Sequence, residues 1–174
     1  VCGATQGIGR AAAEALAAQG AQVTLLARNE AQLKTVRDSL ARPTKQAHAY
    51  LVGDFSEPPS VQDTVQKALE TNGQPFHILI NNTGGPPGGP IREASLHAFH
   101  RAYDMHLACN HLLAQTVLPG MQDAGYGRII NVISTSVKVP IPGLGVSNTT
   151  RGAVASWAKT LAGEVAAYGI TVNN

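Results

Sequence analysis

VCGATQGIGRAAAEALAAQG, residues 1–20, decides the fold. An apolar strand end runs into Gly3, Gly7 and Gly9 and then directly into an alanine-rich helix. A chain that leaves a strand sharply, brings its backbone against a phosphate and packs a helix close to a sheet needs glycine at such places. The helix that follows offers unpaired N–H groups and the positive end of its dipole to an anion. The stretch therefore reads as a phosphate-binding turn between a buried strand and the first helix of a βαβ unit.

The rest of the chain repeats that alternation. Residues 21–27 are apolar on both faces, as a buried parallel strand is, and end at Arg28. Leu33, Val36 and Leu40 mark an amphipathic helix over 30–41, closed by Pro43. A strand over 48–53 runs into Asp54 and Phe55. Pro58 and Pro59 open a helix that Gly73 stops. Strand 77–82 ends in the loop 83–90, Thr-Gly-Gly-Pro-Pro-Gly-Gly-Pro. One long helix is expected over 95–121, a strand over 128–133, a loop over 134–148, a helix over 149–168 and a sixth strand at the end. Strands alternating with helices imply right-handed crossovers. The expected fold is α/β: a doubly wound, Rossmann-like parallel sheet in the order 3-2-1-4-5-6, between two helical layers.

With 174 residues, 44% of them hydrophobic, the chain suffices for one domain with a real core. Thirteen basic and eleven acidic side chains are dispersed, giving a net charge of +2 with few aromatics, so nucleic acid is not an expected partner. No apolar run is long enough to span a bilayer, and the N-terminus carries no signal pattern. Cys2 and Cys109 are far apart without metal-ligand spacing and read as two free thiols of a cytoplasmic protein. The first and last strands look cut, so the chain reads as truncated at both ends.

Gly3-Ala4-Thr5-Gln6-Gly7-Ile8-Gly9 resembles the cofactor turn of the short-chain dehydrogenases/reductases, the family that includes 3-oxoacyl carrier-protein reductases. Asp54, the Asn81-Asn82-Thr83-Gly84 element, the 127–134 stretch GRIINVIS and Gly169-Ile170-Thr171-Val172-Asn173 are similar to further family motifs in the same order. The resemblance covers essentially the whole chain. It implies a single dinucleotide-binding domain over 1–174, lacking the C-terminal portion that supplies much of the substrate pocket. Cofactor contacts are expected from Gly3, Thr5, Gln6, Gly7, Ile8, Gly9, Asp54, Phe55, Asn82, Thr83 and Gly84. A homodimer or homotetramer is also implied, since the matching helices 95–121 and 149–168 pack across a two-fold axis in the family. At the end of the second strand, Ala27 stands at the acid position that would bind the ribose 2′-OH of NAD, and Arg28 follows it. A guanidinium there pairs with the 2′-phosphate of NADP. NADP(H) is the expected cofactor and NAD(H) the alternative, with Arg28 then an ordinary solvated arginine.

The catalytic positions depart from the pattern. Family members use a serine, a tyrosine, a lysine four residues later, and an asparagine in the long helix. Ser134 matches the serine; Ser147 stands at the tyrosine position, Arg151 at the lysine position, and His106 at the asparagine position. A phenol of pKa about 10 can be lowered toward neutrality by a nearby cation, whereas a serine hydroxyl is far less acidic. Arginine can bind ribose hydroxyls, and Arg151 is counted with the cofactor contacts, but it does not deprotonate. His106, which titrates near neutrality when unperturbed, is one substitute donor, and otherwise a helix histidine at a subunit contact. Lys138 is another, and otherwise a solvated loop lysine. Two functions follow: an oxidoreductase moving hydride between NADP(H) and a carbonyl or alcohol, or a catalytically degenerate dinucleotide-binding or scaffold protein on the same fold.

Overall fold

The computed structural model describes residues 1–174. Five parallel strands are formed: β1 (Thr24–Ala27), β2 (Ala49–Val52), β3 (Ile78–Asn81), β4 (Gly127–Asn131) and β5 (Ile170–Asn173). β1 pairs with β2, while β3, β4 and β5 form a second ladder. Val1 and Cys2 stitch the two together. Leu26 N–H donates to Val1 O at 2.9 Å, Cys2 N–H donates to Ile80 O at 2.9 Å, and Cys2 bridges Leu26 in parallel. With Val1 and Cys2 counted as the first strand, the order across the sheet is the expected 3-2-1-4-5-6.

Apolar side chains on both faces of β1 explain why it lies between two layers. Leu25 and Ala27 join a core under α1 (Gly7–Ala18) and α2 (Glu30–Ser39). Leu26 points the other way, into the core shared with α3 (Pro58–Asn72), α5 (Cys109–Asp123) and α6 (Gly145–Val165), while α4 (Leu96–Tyr103) leads into α5. Ala13 and Ala17 are fully buried, and their small side chains let α1 lie close to the sheet. Asn29 caps α2 by accepting from Gln32 N–H at 3.0 Å. Pro58 opens α3, and Gly73 closes it with a left-handed φ of 61°. Between β1 and β3, beneath Cys2, the sheet leaves an apolar groove of about 370 Å³ lined by Leu26, Leu51, Val65, Leu79 and Leu113. No helix is long and apolar enough to cross a membrane.

Two expectations need correction. The helix placed over 95–121 is three pieces: α4, a π-helical segment Asp104–Ala108, and α5. The helix placed over 149–168 starts four residues earlier, at Gly145, so the loop expected over 134–148 is shorter and Ser147 lies in the first turn of α6. A long-range contact supplies that start, because Gly145 N–H donates to Gly89 O at 3.2 Å. Other ends differ by a few residues, the largest being β1, which begins at Thr24 rather than at residue 21.

Candidate functional site

The site lies where the strands end. Asn82 leaves β3 and donates Nδ2–H to the carbonyls of Cys2 and Gly3, both at 3.3 Å, which clamps the glycine turn to the sheet. A Cβ on Gly9 would strike Gly3 O, Asn82 Nδ2 at 2.7 Å and Cys2 O at 2.8 Å, so this contact admits only glycine. Gly7 is different: its φ is +56° and nothing lies within 4 Å of where a Cβ would be. Gln6, the residue before α1, gives no side-chain cap, and the first turn holds no acid. The leading N–H groups of α1 therefore face an open space at the positive end of the helix. Thr5 is half-buried, and Gln6 and Ile8 are exposed around the turn. Open space before uncapped N–H groups offers the polarity that a phosphate requires.

Arg28 and Asp54 leave the ends of β1 and β2 and approach to 4.0 Å, both substantially exposed. Asp54 Oδ1 accepts from Ser56 N–H at 3.0 Å and Ser56 Oγ–H at 2.8 Å. The Ser56 N–H holds the carboxyl below its usual range against partial desolvation, with the Ser56 hydroxyl, Arg28 and Arg101 adding to the effect. Phe55 has its ring buried in the core, and its carbonyl accepts from Cys109 Sγ–H at 3.3 Å. Burial pushes the Cys109 thiol up to about 12. Thr83 is half-buried and Gly84 exposed at the mouth of the loop after β3.

Ser134, Ser147, Arg151 and His106 come from three elements. Ser134 follows β4, and its Oγ accepts from Ser136 N–H at 3.1 Å. Arg151, one turn after Ser147 on α6, donates Nη1–H to Val132 O at 2.9 Å, which carries the guanidinium to the end of β4. His106 lies in the π segment, 2% exposed, with Nε2 unpartnered. Burial, and then the charge of Arg151, push its pKa down to about 3. The expectation that His106 titrates near neutrality is thereby corrected, because a desolvated imidazole beside a cation resists a proton. Burial also lowers Arg151, which remains a cation at neutral pH. Lys138 is exposed on its loop.

Two features escaped the sequence reading. Beneath the site, Asn131 Oδ1 accepts from Asn81 Nδ2 at 2.9 Å and Asn110 Nδ2 at 3.5 Å, and Asn131 Nδ2 donates to Asn173 O at 3.4 Å. Three buried asparagines thus brace β3, β4, α5 and β5; the legible signal is an asparagine ending an otherwise apolar strand. Above the site, Gly89 N–H donates to Gly143 O at 2.6 Å and bridges Leu144. This clasp joins the glycine–proline loop to the start of α6. Beside it, Ile91, Ile141, Pro142 and Asn148 line an open groove of about 280 Å³. No group of three or more His, Cys, Asp or Glu could hold a metal.

Known proteins resemble this chain in sequence and in fold. A sequence profile described as short chain dehydrogenase matches residues 1–174. Inactive hydroxysteroid dehydrogenase-like protein 1 of Homo sapiens is 31% identical over 176 residues, covering 100% of this chain and 53% of that protein. Gluconate 5-dehydrogenase of Gluconobacter oxydans is 30% identical over 173 residues, covering 99% of this chain and 67% of that one. The crystal structure of L-sorbose reductase from Gluconobacter frateurii, complexed with NADPH and L-sorbose, superposes with a TM-score of 0.93 at 30% identity over 99% of this chain and 65% of that one. The chain spans about half the length of the hydroxysteroid dehydrogenase-like relatives. Matched along its whole length by the family profile, the chain belongs to the short-chain dehydrogenase family.

Proposed function

We propose that this chain is the dinucleotide-binding part of an oxidoreductase that moves hydride between NADP(H) and a carbonyl or alcohol. The observation that carries the reading is the uncapped start of α1 over the open face of Gly7, held in place by the Asn82 clamp. Uncapped N–H groups at a helix start fit a pyrophosphate. Arg28, exposed at the end of β1, is the partner for a 2′-phosphate, and Asp54 stands beside it for the adenine. Thr83 and Gly84 flank the path from there to Ser134. When bound, the nicotinamide supplies or accepts the hydride.

The chain's own part is electrostatic. Ser134 and Ser147 hydroxyls hold the substrate oxygen, and Arg151 supports the negative charge that grows on it as hydride arrives. Val132 O holds Arg151 in place, and neutral His106 does not exchange the proton, which comes from water at the cleft. The protein assembles as a homodimer or homotetramer through α4, α5 and α6, works in the cytoplasm and binds a small-molecule substrate. Support for the assembly comes from Leu96 and Tyr103 on α4, which are 69% and 54% exposed. Light scattering of a stable monomer would rule it out.

A second reading has its own support. None of the four residues at the catalytic positions is a phenol or a lysine, and the Homo sapiens relative carries the word inactive in its name. On that reading the chain binds the dinucleotide without turnover. Following NADPH absorbance against a panel of ketones, quinones and 3-oxoacyl thioesters separates the two. NADPH consumption that Ser134→Ala abolishes supports the oxidoreductase; tight NADPH binding with no consumption across the panel supports the second reading. NAD(H) binding as tight as NADP(H), or tighter, removes the cofactor assignment.

A further inference from the structure

The start of α6 has no support of its own. No side chain caps it, and its first turn carries no acidic residue. A helix end without a cap takes its position from whatever binds its leading N–H groups. Here that is backbone from a distant loop: Gly145 N–H donates to Gly89 O at 3.2 Å, and Gly89 N–H donates to Gly143 O at 2.6 Å. Asn148 draws the same turn inward, its N–H donating to Leu144 O at 2.8 Å and its Nδ2–H to Ile141 O at 2.9 Å.

Packing at this clasp is tight at one point and loose at another. A Cβ on Gly145 would lie 2.6 Å from Ile91 Cα and 2.7 Å from Ile91 N, which are backbone atoms and cannot swing aside. At Gly88 a Cβ would stand 3.2 Å from Gly143 O, a lighter push on the same contact. Gly89 has open space where its Cβ would be. The loop that makes the clasp is held at its other end too, since Asn82 donates to the carbonyls of Cys2 and Gly3 in the glycine turn. Residues 82–89 therefore tie the glycine turn to α6. Further along α6, Arg151 donates Nη1–H to Val132 O at 2.9 Å. That bond, from a helix to the end of a strand, holds only while the helix keeps its place, and small displacements of a group that binds a ligand are costly.

We infer that Gly145 is a positioning residue: its backbone bond to Gly89 and its close packing on Ile91 set where α6 starts, and through α6 where Arg151 stands at the hydride end of the cleft. Gly145 touches neither cofactor nor substrate. Its effect on a ligand rests on the dinucleotide reading above; its hold on the helix start does not.

Titration of the full chain with NADPH and with adenosine 2′,5′-bisphosphate, which lacks the nicotinamide half, tests the inference in Gly145→Ala, Gly88→Ala and Gly89→Ala. Gly145→Ala is expected to weaken NADPH by about tenfold, as the loss of a charge-assisted contact gives, and Gly88→Ala by less. The bisphosphate should bind both variants as it binds the unsubstituted protein, because the glycine turn and Arg28 stay in place. Gly89→Ala should change neither ligand. A general loss of structure would weaken both ligands together. Equal losses for the two ligands, an unchanged NADPH affinity in Gly145→Ala, or a loss in Gly89→Ala as large as in Gly145→Ala overturns the positioning role. Should Gly145→Ala melt as an unfolded chain, Gly88→Ala against Gly89→Ala makes the same decision. Binding of neither ligand by the unsubstituted protein overturns the dinucleotide reading instead. Amide hydrogen exchange over residues 146–151 then decides the role of the clasp: faster exchange in Gly88→Ala than in Gly89→Ala upholds it, and equal exchange overturns it.

Discussion

His106 lies buried close enough to Arg151 to feel its charge, and the imidazole stays neutral: burial, reinforced by the guanidinium, pushes its pKa down to about 3. Its unfolded value is near 6.5, so below that pH the unfolded chain binds a proton that the folded chain refuses. Stability therefore falls as pH drops from about 6.5 toward 3, and is flat in this respect above 6.5. At pH 5 the loss from one such group is about 2 kcal/mol. Urea unfolding of the unsubstituted protein and of His106→Asn at pH 7.5 and pH 5 measures it. The expected outcome is a smaller acid loss in His106→Asn; the same loss in both would show that His106 takes up its proton in the folded state.

Gly7 and Gly9 sit two residues apart and should fail differently when changed to alanine. Gly9→Ala drives a methyl into the carbonyls of Cys2 and Gly3 and into Asn82, an overpacking that costs about 3 kcal/mol or more. Gly7→Ala places its methyl in open space at a left-handed φ, a strain of about 1 kcal/mol, and narrows the phosphate cradle. Thermal melting should separate the first from the unsubstituted protein, and NADPH fluorescence titration the second.

Arg28 is exposed and reaches Asp54 only at 4.0 Å. Its removal should leave the fold alone and act on the cofactor. Arg28→Ala is expected to weaken NADPH by about tenfold and to leave NADH unchanged. Equal losses for the two cofactors would take the 2′-phosphate away from this residue.

Ser147 and Arg151 invite a reverse substitution. Ser147→Tyr combined with Arg151→Lys places a phenol beside a cation at the end of β4, which is the general acid that the unsubstituted site lacks. Turnover of any substrate found in the panel should rise by about a hundredfold, with a pH dependence absent from the unsubstituted protein. An unchanged rate with a flat pH profile would show that the new phenol is not in reach of the substrate oxygen.

The fold was legible because its deciding signals are local. Leu25, Leu26 and Ala27 alternate between two cores, as a run apolar on both faces implies. Glycines, prolines and Asn29 mark ends by their own conformations. The start of α6 was not legible, since Gly143, Leu144 and Gly145 read as loop and the bond that starts the helix comes from Gly89, far away in sequence. That the Phe55 ring enters the core was not legible, because its strand's end reads alike whether a ring there faces ligand or core. Alignment put His106 opposite the family's asparagine, but its neutrality depends on burial and on Arg151, neither of which a sequence position carries. The bracing of Asn131 by Asn81 and Asn110 is likewise a meeting of three distant segments.

The π segment Asp104–Ala108 is also a record of length. A π turn holds one residue more than the α ladder around it needs, so it is an insertion that the helix absorbed without a loop. Removing any one residue between 104 and 108 would let the ladder close as a plain α-helix with α4 and α5 keeping their present faces, because the wide turn already takes up the rotation of the extra residue. Leu96 and Tyr103 would stay on their side of the molecule, and Asn110 and Leu113 on theirs. A deletion in α5 itself, where no wide turn absorbs it, would instead rotate one part against the other by about 100° and break the brace with β4.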